Sequence, residues 1–262
     1  MVELVEVEHR GDITTLWLNR PERLNAVIPE LMEALIDASQ RVSVRTATRA
    51  VILRGRGKHF SVGADLKAPA AATPPSLLEQ RRNTETGSRL MRALQEIRQP
   101  TICAIQGVAH GGGACMTTAC DFRIAMRDAR VGYGEVRLGM PLMWHALPTC
   151  VHLIGPARAK QMIMSGRAFD APLLASWGYI DELVDDIDAL GARALVWAEE
   201  YAALPPIAVQ MIKRSVNAVS SALDHAIMHM DADQFLLATR SDDYREGVRA
   251  FIDKRAPVFK GN

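Results

Sequence analysis

The sequence predicts a layered α/β core followed by a helical tail, and three observations carry that expectation. Short apolar runs, Ala50-Val51-Ile52-Leu53, Thr101-Ile102-Cys103-Ala104-Ile105 and Asp121-Phe122-Arg123-Ile124-Ala125, recur after segments of helical period. A glycine-containing loop follows each of the first two runs: Ser61-Val62-Gly63-Ala64-Asp65-Leu66, then His110-Gly111-Gly112-Gly113. Beyond about residue 190 the apolar positions keep helical spacing and no strand signal survives.

In chain order, residues 2–19 read as two short strands turned through Gly11-Asp12. Pro29 starts a helix with Leu31, Ala34, Leu35, Ala38 and Val42 at helical spacing. Residues 67–76 are rich in Ala, Pro and Thr without a period, which predicts a mobile loop bordering a cleft. A helix over about residues 77–98 carries Leu90, Met91, Leu94 and Ile97 on one face and ends before Pro100. Residues 111–119 form a glycine-rich turn running into a helix. In the tail, Leu190 with Ala194, Leu195 and Ala198, and Met211 with Ile212, Ser215, Val216 and Val219, mark two helices. Leu223 with Ala226, Ile227 and Met230 marks another, and Tyr244 with Val248, Phe251 and Ile252 a last. No exact repeat is present, although the early strand-strand-helix unit could recur in diverged form.

Composition narrows the partners. The chain has 31 basic and 30 acidic residues in 262 and is 48% hydrophobic, enough for a sizeable core and without the basic footprint of a nucleic-acid binder. Its alternating, acidic start is unlike a signal peptide, and no apolar run reaches the roughly 20 residues of a membrane span. Cys103, Cys115, Cys120 and Cys150 show no metal-ligand spacing and are too few for a disulfide scaffold, so reduced thiols and a cytoplasmic location are expected.

Gly111-Gly112-Gly113 at a helix start is a candidate anion site, because the first amides of a helix lack internal partners and carry the positive end of its dipole. Tight packing of strand on helix is the alternative. No Gly-Lys-Ser/Thr follows, and the GxGxxG spacing is absent, so neither a phosphate loop nor a dinucleotide fingerprint fits.

Six motifs in order then decide the reading. Asn19-Arg20-Pro21-Glu22-Arg23-Leu24-Asn25-Ala26, the Ser61 loop, and Gly107-Val108-Ala109 leading into the glycine triplet resemble the three N-terminal motifs of the crotonase (enoyl-CoA hydratase/isomerase) superfamily. The similarity continues through Cys120-Asp121-Phe122-Arg123-Ile124-Ala125, Glu135-Val136-Arg137-Leu138-Gly139, and the closing run from Glu246 to Arg255. The resemblance implies an α/β fold, a crotonase-like spiral of ββα repeats with a C-terminal helical trimerisation region, in trimers often paired into hexamers. The core would span 1–190 and the helical subdomain 191–262. It further implies an acyl-CoA thioester substrate, with coenzyme A carried as part of it, no separate cofactor and no metal. The amides of Ala64 and Gly112 would form an oxyanion hole. Arg23, Leu24 and Ala26 match the loop that touches CoA, and Ala64, Asp65 and Leu66 the segment around its adenine. Phe251 and Lys254 match residues that approach CoA across a subunit boundary. Arg23 and Lys254 would answer phosphate charge, or else be solvated surface cations, and Asp65 could instead bond its own turn.

The family's hydratases use two glutamates. The second is present as Glu135, whereas Cys115 stands at the first, and a thiol is a poor substitute for a carboxylate. Cys115 reads as a small buried filler, with activation by the helix N-terminus as the alternative. A single base suffices for moving a double bond, so isomerase-like chemistry is favoured over efficient hydration. His110, Trp144 and His145 are expected to line and narrow the acyl pocket. A specialised lyase or thioester hydrolase using His110 or His145, and a non-catalytic acyl-CoA binder, remain as alternatives.

Overall fold

The computed structural model describes residues 3–66 and 75–262. The expected mobile loop therefore lies mostly outside the described residues. Of its last two residues, Ser76 caps a helix: its Oγ accepts from Glu79 N–H at 3.3 Å, and its own N–H donates to Glu79 Oε2 at 2.7 Å.

β1 (Val5–Arg10) and β2 (Ile13–Leu18) form the expected antiparallel hairpin. α1 (Pro29–Val44) starts on the expected proline, whose missing N–H is not needed at a helix start, and buries Leu31, Leu35, Ala38 and Val42. β3 (Ala50–Gly55) lies parallel to β2, and α2 (Leu77–Gln95) ends earlier than its apolar spacing suggests. β4 (Thr101–Ile105), β5 (Val108–His110) and α3 (Gly112–Ala119) follow, then β6 (Phe122–Met126), β7 (Arg130–Gly132) and α4 (Ala146–Ser165), broken at Gly155-Pro156. β8 (Ala168–Asp170), α5 (Ala171–Trp177) and β9 (Glu182–Val184) complete the mixed part.

One sheet has the order β1-β2-β3-β4-β6-β9, parallel after the opening hairpin, and β5-β7-β8 make a second. The chain alternates between them, from β4 to β5 to α3 and from β6 to β7 to α4. Earlier turns do the same in reduced form, because Val27 bridges Ala64 and Ser61 bridges Ala109 where full strands would stand. The diverged repeat is thus a ββα spiral whose first turns keep only single bridges in the second sheet.

Both faces of the main sheet are covered. Val51, Leu53, Cys103 and Ile105 join the core with α1 to α5, while Ala50, Ile52, Ile102, Ala104 and Ile124 meet Leu190, Ala194, Ala198 and Ala202 of α6 (Ile187–Ala202). Two-sided burial is why these strands read as continuous apolar runs.

The tail continues as α7 (Pro206–Ser220), α8 (His225–Met228), α9 (Asp231–Ala238) and α10 (Asp242–Asp253). The helix expected through Leu223 and Met230 is only the single turn α8. Two carboxylates seat this region on α4: Asp224 Oδ1 pairs with His152 Nε2 at 2.8 Å, and Asp231 Oδ2 accepts from His145 N–H at 2.7 Å. α7 exposes Ile207, Met211, Ile212, Val216 and Val219, while Lys213 turns inward to Asp121 at 2.6 Å and to Gln99 O at 2.9 Å.

Lys213→Ala strands a largely buried carboxylate and is expected to lower unfolding free energy by about 3 kcal/mol. Arg89→Ala, which breaks a short but exposed pair with Glu33, should cost less than about 1 kcal/mol. Chemical denaturation of both variants checks the contrast.

Candidate active site

The two glycine loops are held side by side by their main chains. His110 N–H donates to Ser61 O at 3.0 Å, and Ser61 N–H to Val108 O at 3.1 Å. Gly63, at φ +84°, turns the first loop against the second so closely that a Cβ there would stand 2.6 Å from His110 O. A Cβ on Gly113 would strike Ser61 O. Ala64 and Gly112 are brought to one wall by this contact, and their N–H groups have no hydrogen-bond partner among the described residues. For Gly112 the reason is its place at the start of α3.

Asn25 supports the first loop from behind. It is fully buried in the left-handed region at φ +53°, takes Arg20 N–H on Oδ1 at 2.8 Å, and donates from Nδ2 to Arg56 O and His59 O, both at 2.9 Å. Ser61 Oγ donates to Asn25 O at 2.7 Å. Asp65 accepts from Arg20 Nη1 at 2.8 Å, which ties the Asn19-to-Ala26 loop to the Ser61 loop.

Glu135 opens a short 3-10 turn, Glu135–Leu138, that α10 clamps main chain to main chain. A Cβ on Gly247 would stand 2.8 Å from Leu138 Cα, and one on Gly139 would stand 2.9 Å from Tyr244 N. The carboxylate overlooks the glycine triplet, with Oε1 3.2 Å from where a Gly111 Cβ would lie. Its Oε2 is shut from solvent and has no hydrogen-bond partner among the described residues. Burial pushes this carboxyl up to about 7, against the smaller opposing effect of hydrogen bonds from the backbone of Glu135 and Gly134. A base poised there can both take and return a proton near neutral pH.

These groups open into one cavity of about 1150 Å³. Among the residues singled out from sequence, Ala64, Leu66, His110, Gly112, Cys115, Glu135, Trp144 and Phe251 line it. Arg23, Leu24, Ala26, Asp65, His145 and Lys254 do not; Arg23, Leu24 and Lys254 are exposed and Ala26 is buried. Cys115 is fully buried, and burial first, then the neighbouring acidic group of Glu135, drives its thiol well above the usual range. It is a neutral wall, and the start of α3 does not activate it. Burial, then Arg137, lowers the His110 imidazole, which packs on Gly134. Trp144 lies across Gly112, and the His145 side chain stays out of the cavity wall. Sequence reasoning missed Asn25 and Arg255, although both lie inside the motifs it used; Arg255 lines the cavity and is held by Glu246. It also missed Asp231, for which no local pattern gives a signal.

Two amides unpartnered among the described residues, on residues that line a cavity with a buried carboxylate, suit an enzyme that stabilises negative charge on a carbonyl oxygen while a proton moves next to it. The comparisons agree with that class. The family model described as enoyl-CoA hydratase/isomerase matches residues 8–262. A 1,2-epoxyphenylacetyl-CoA isomerase of Escherichia coli is 32% identical, with both chains covered in full. An enoyl-CoA hydratase of Mycobacterium tuberculosis is 32% identical over 97% of this chain and 95% of its own. The crystal structure of an enoyl-CoA hydratase/isomerase from Pseudoalteromonas atlantica superposes with a TM-score of 0.86 at 30% identity, covering 98% of this chain and all of the other. The chain belongs to the enoyl-CoA hydratase/isomerase family, within the crotonase superfamily.

Gly63→Ala adds a clash to a positive φ and is expected to cost about 2 kcal/mol of stability, read by chemical denaturation. Because the raised Glu135 favours its neutral form in the folded state, its stabilising effect is present at low pH and fades as pH rises through about 7. Glu135→Gln should therefore match the wild type below about pH 4 and exceed it by about 1–3 kcal/mol at pH 9, measured by denaturation at each pH.

Proposed function

We propose that this enzyme moves the double bond of an enoyl-CoA thioester, with Glu135 as its single base. The thioester oxygen sits between the N–H groups of Ala64 and Gly112. Glu135 removes a proton from C2 of a 3-enoyl ester, and the electron pair delocalises through the alkene into that oxygen as a dienolate. Returning the same proton to C4 gives the 2-enoyl ester, so no water is consumed. Each amide is worth about 3 kcal/mol to the anionic state, judged from comparable holes.

The observation that carries this reading is Glu135 Oε2, buried without a hydrogen-bond partner among the described residues and belonging to a cavity-lining carboxylate that overlooks Gly111, next to the Gly112 amide that is also unpartnered among them. The second group that a hydratase needs to orient water is replaced by the neutral thiol of Cys115. Leu66, Phe251 and Arg255 at the cavity offer surfaces for the coenzyme arm, and Arg23 and Lys254 offer exposed positive charge for its phosphates. The chemistry asks for no cofactor beyond the CoA of the substrate. The apolar face of α7 supports assembly into trimers, or hexamers built from them, with 1–190 as core and 191–262 as the helical part. Four free, buried cysteines support a cytoplasmic setting.

Incubation with crotonyl-CoA and, separately, with a 3-enoyl-CoA tests the reading. Isomerisation should exceed hydration, rise about tenfold per pH unit below pH 7 and level off above it, and fall by about 10²–10⁴ in Glu135→Gln. Hydration at a comparable rate would overturn the single-base mechanism. Release of free CoA would favour a hydrolase, and binding without turnover an acyl-CoA binder.

A further inference from the structure

Trp144 and His145 are consecutive non-glycine residues in the left-handed region, at φ +61° and +58°. Such conformations cost energy and persist only where the surroundings enforce them. Two features enforce this one. Asp231, from α9, accepts the His145 N–H at 2.7 Å. The Trp144 indole is seated between two glycines on different helices. On one side its six-membered ring lies on Gly112, where a Cβ would come within 2.5 Å of Cζ3. On the other its pyrrole edge lies so close to Gly87 of α2 that any side chain there would overlap Nε1 and Cδ1.

The placement matters because of what lies on each side. Gly112 is the residue whose amide faces the thioester oxygen under the function proposed above. Gly87 belongs to a row on α2, with Thr84, Asn83 and Gln80, that lines the cavity together with Phe235 and Leu236 of α9 and Thr239 at its C-terminal cap. The indole therefore stands between the reacting end of the cavity and the part lined by α2 and α9.

We infer that Trp144 is an acyl-length determinant, narrowing the cavity between its reacting end and the part lined by α2 and α9 so that short acyl groups are preferred, and that Asp231 is the positioning residue that keeps it there. The inference rests on the acyl-CoA reading of the cavity. Removing the indole widens the cavity beside Gly87 and gives a longer chain room there. Glycine is the replacement that the backbone at position 144 tolerates best, since it relieves the positive φ as it opens the space.

The test is binding of butyryl-CoA and decanoyl-CoA, two saturated esters that cannot turn over by double-bond chemistry, measured by calorimetry on the full chain. Wild type should prefer butyryl-CoA. Trp144→Gly should move the decanoyl-to-butyryl affinity ratio by at least about tenfold towards decanoyl-CoA, the scale of a pocket gaining methylene contacts. Asp231→Ala should move it the same way by less, and Asp231→Asn, which keeps an oxygen acceptor for the His145 amide, should restore the wild-type ratio. A merely structural role for Asp231 would lower stability in both variants without moving the ratio. Trp144→Leu, which retains an apolar side chain on the core, should give an intermediate ratio and serves if the glycine variant does not fold. An unchanged ratio in whichever of these Trp144 variants folds overturns the inference while leaving the acyl-CoA reading intact. Failure of both esters to bind wild type overturns that reading and the inference with it.

Discussion

The constraint on which everything else depends is the contact of main chain with main chain between the Ser61 and His110 loops. Gly63 and Gly113 have no side chain because His110 O and Ser61 O occupy the space one would need. That closeness brings Ala64 and Gly112, whose amides are unpartnered among the described residues, to the same wall. Under the proposed function, backbone donors held in this way are oriented before substrate arrives, so developing charge is met without reorganisation. The rest of the spiral serves the contact, with β4, β5 and α3 delivering one loop, and β3 with Asn25 and the Arg20–Asp65 pair holding the other.

A second layer of the same device positions Glu135, the base of the proposed function. Glu135 sits in a short turn between glycines, and α10 reaches it through Gly247 at main-chain distance. The carboxylate is left with one oxygen that has no partner among the described residues, and its burial costs folding stability and raises its proton affinity. Stability and chemistry oppose one another at this residue. The thiol at Cys115 does not share the cost, because a neutral, apolar side chain is at home in a dry wall.

What could be read in advance divides along physical lines. Glycine loops are legible because an absent side chain in a run such as His110-Gly111-Gly112-Gly113 has few uses, and six ordered motifs supplied the rest. The long strands β3, β4 and β6 stood out because they are apolar on both faces. β5, β7, β8 and β9 have three residues each, too few for a period to register. The placement of Trp144 depends on Gly87, and a lone glycine in a helix reads only as a weak point. Asp231 acts through a backbone amide 86 positions away, a contact that leaves no trace in side-chain pattern. Charge at Arg23 and Lys254 was visible, but the direction in which an exposed side chain reaches is a property of the assembled surface.

The dependence of the site on α9 and α10 bears on the order in which the molecule comes into being. During synthesis, the loops carrying Ala64 and Gly112 emerge well over a hundred residues before Asp231 and Gly247, the groups that fix the Trp144-His145 turn and the Glu135 turn. A nascent chain can wind its spiral while the Glu135 turn and Trp144 are still unsupported. The wall of the cavity is completed only once α9 and α10 have emerged and packed on α2 and on the Glu135 turn, so the cavity takes its final shape after the spiral has been wound.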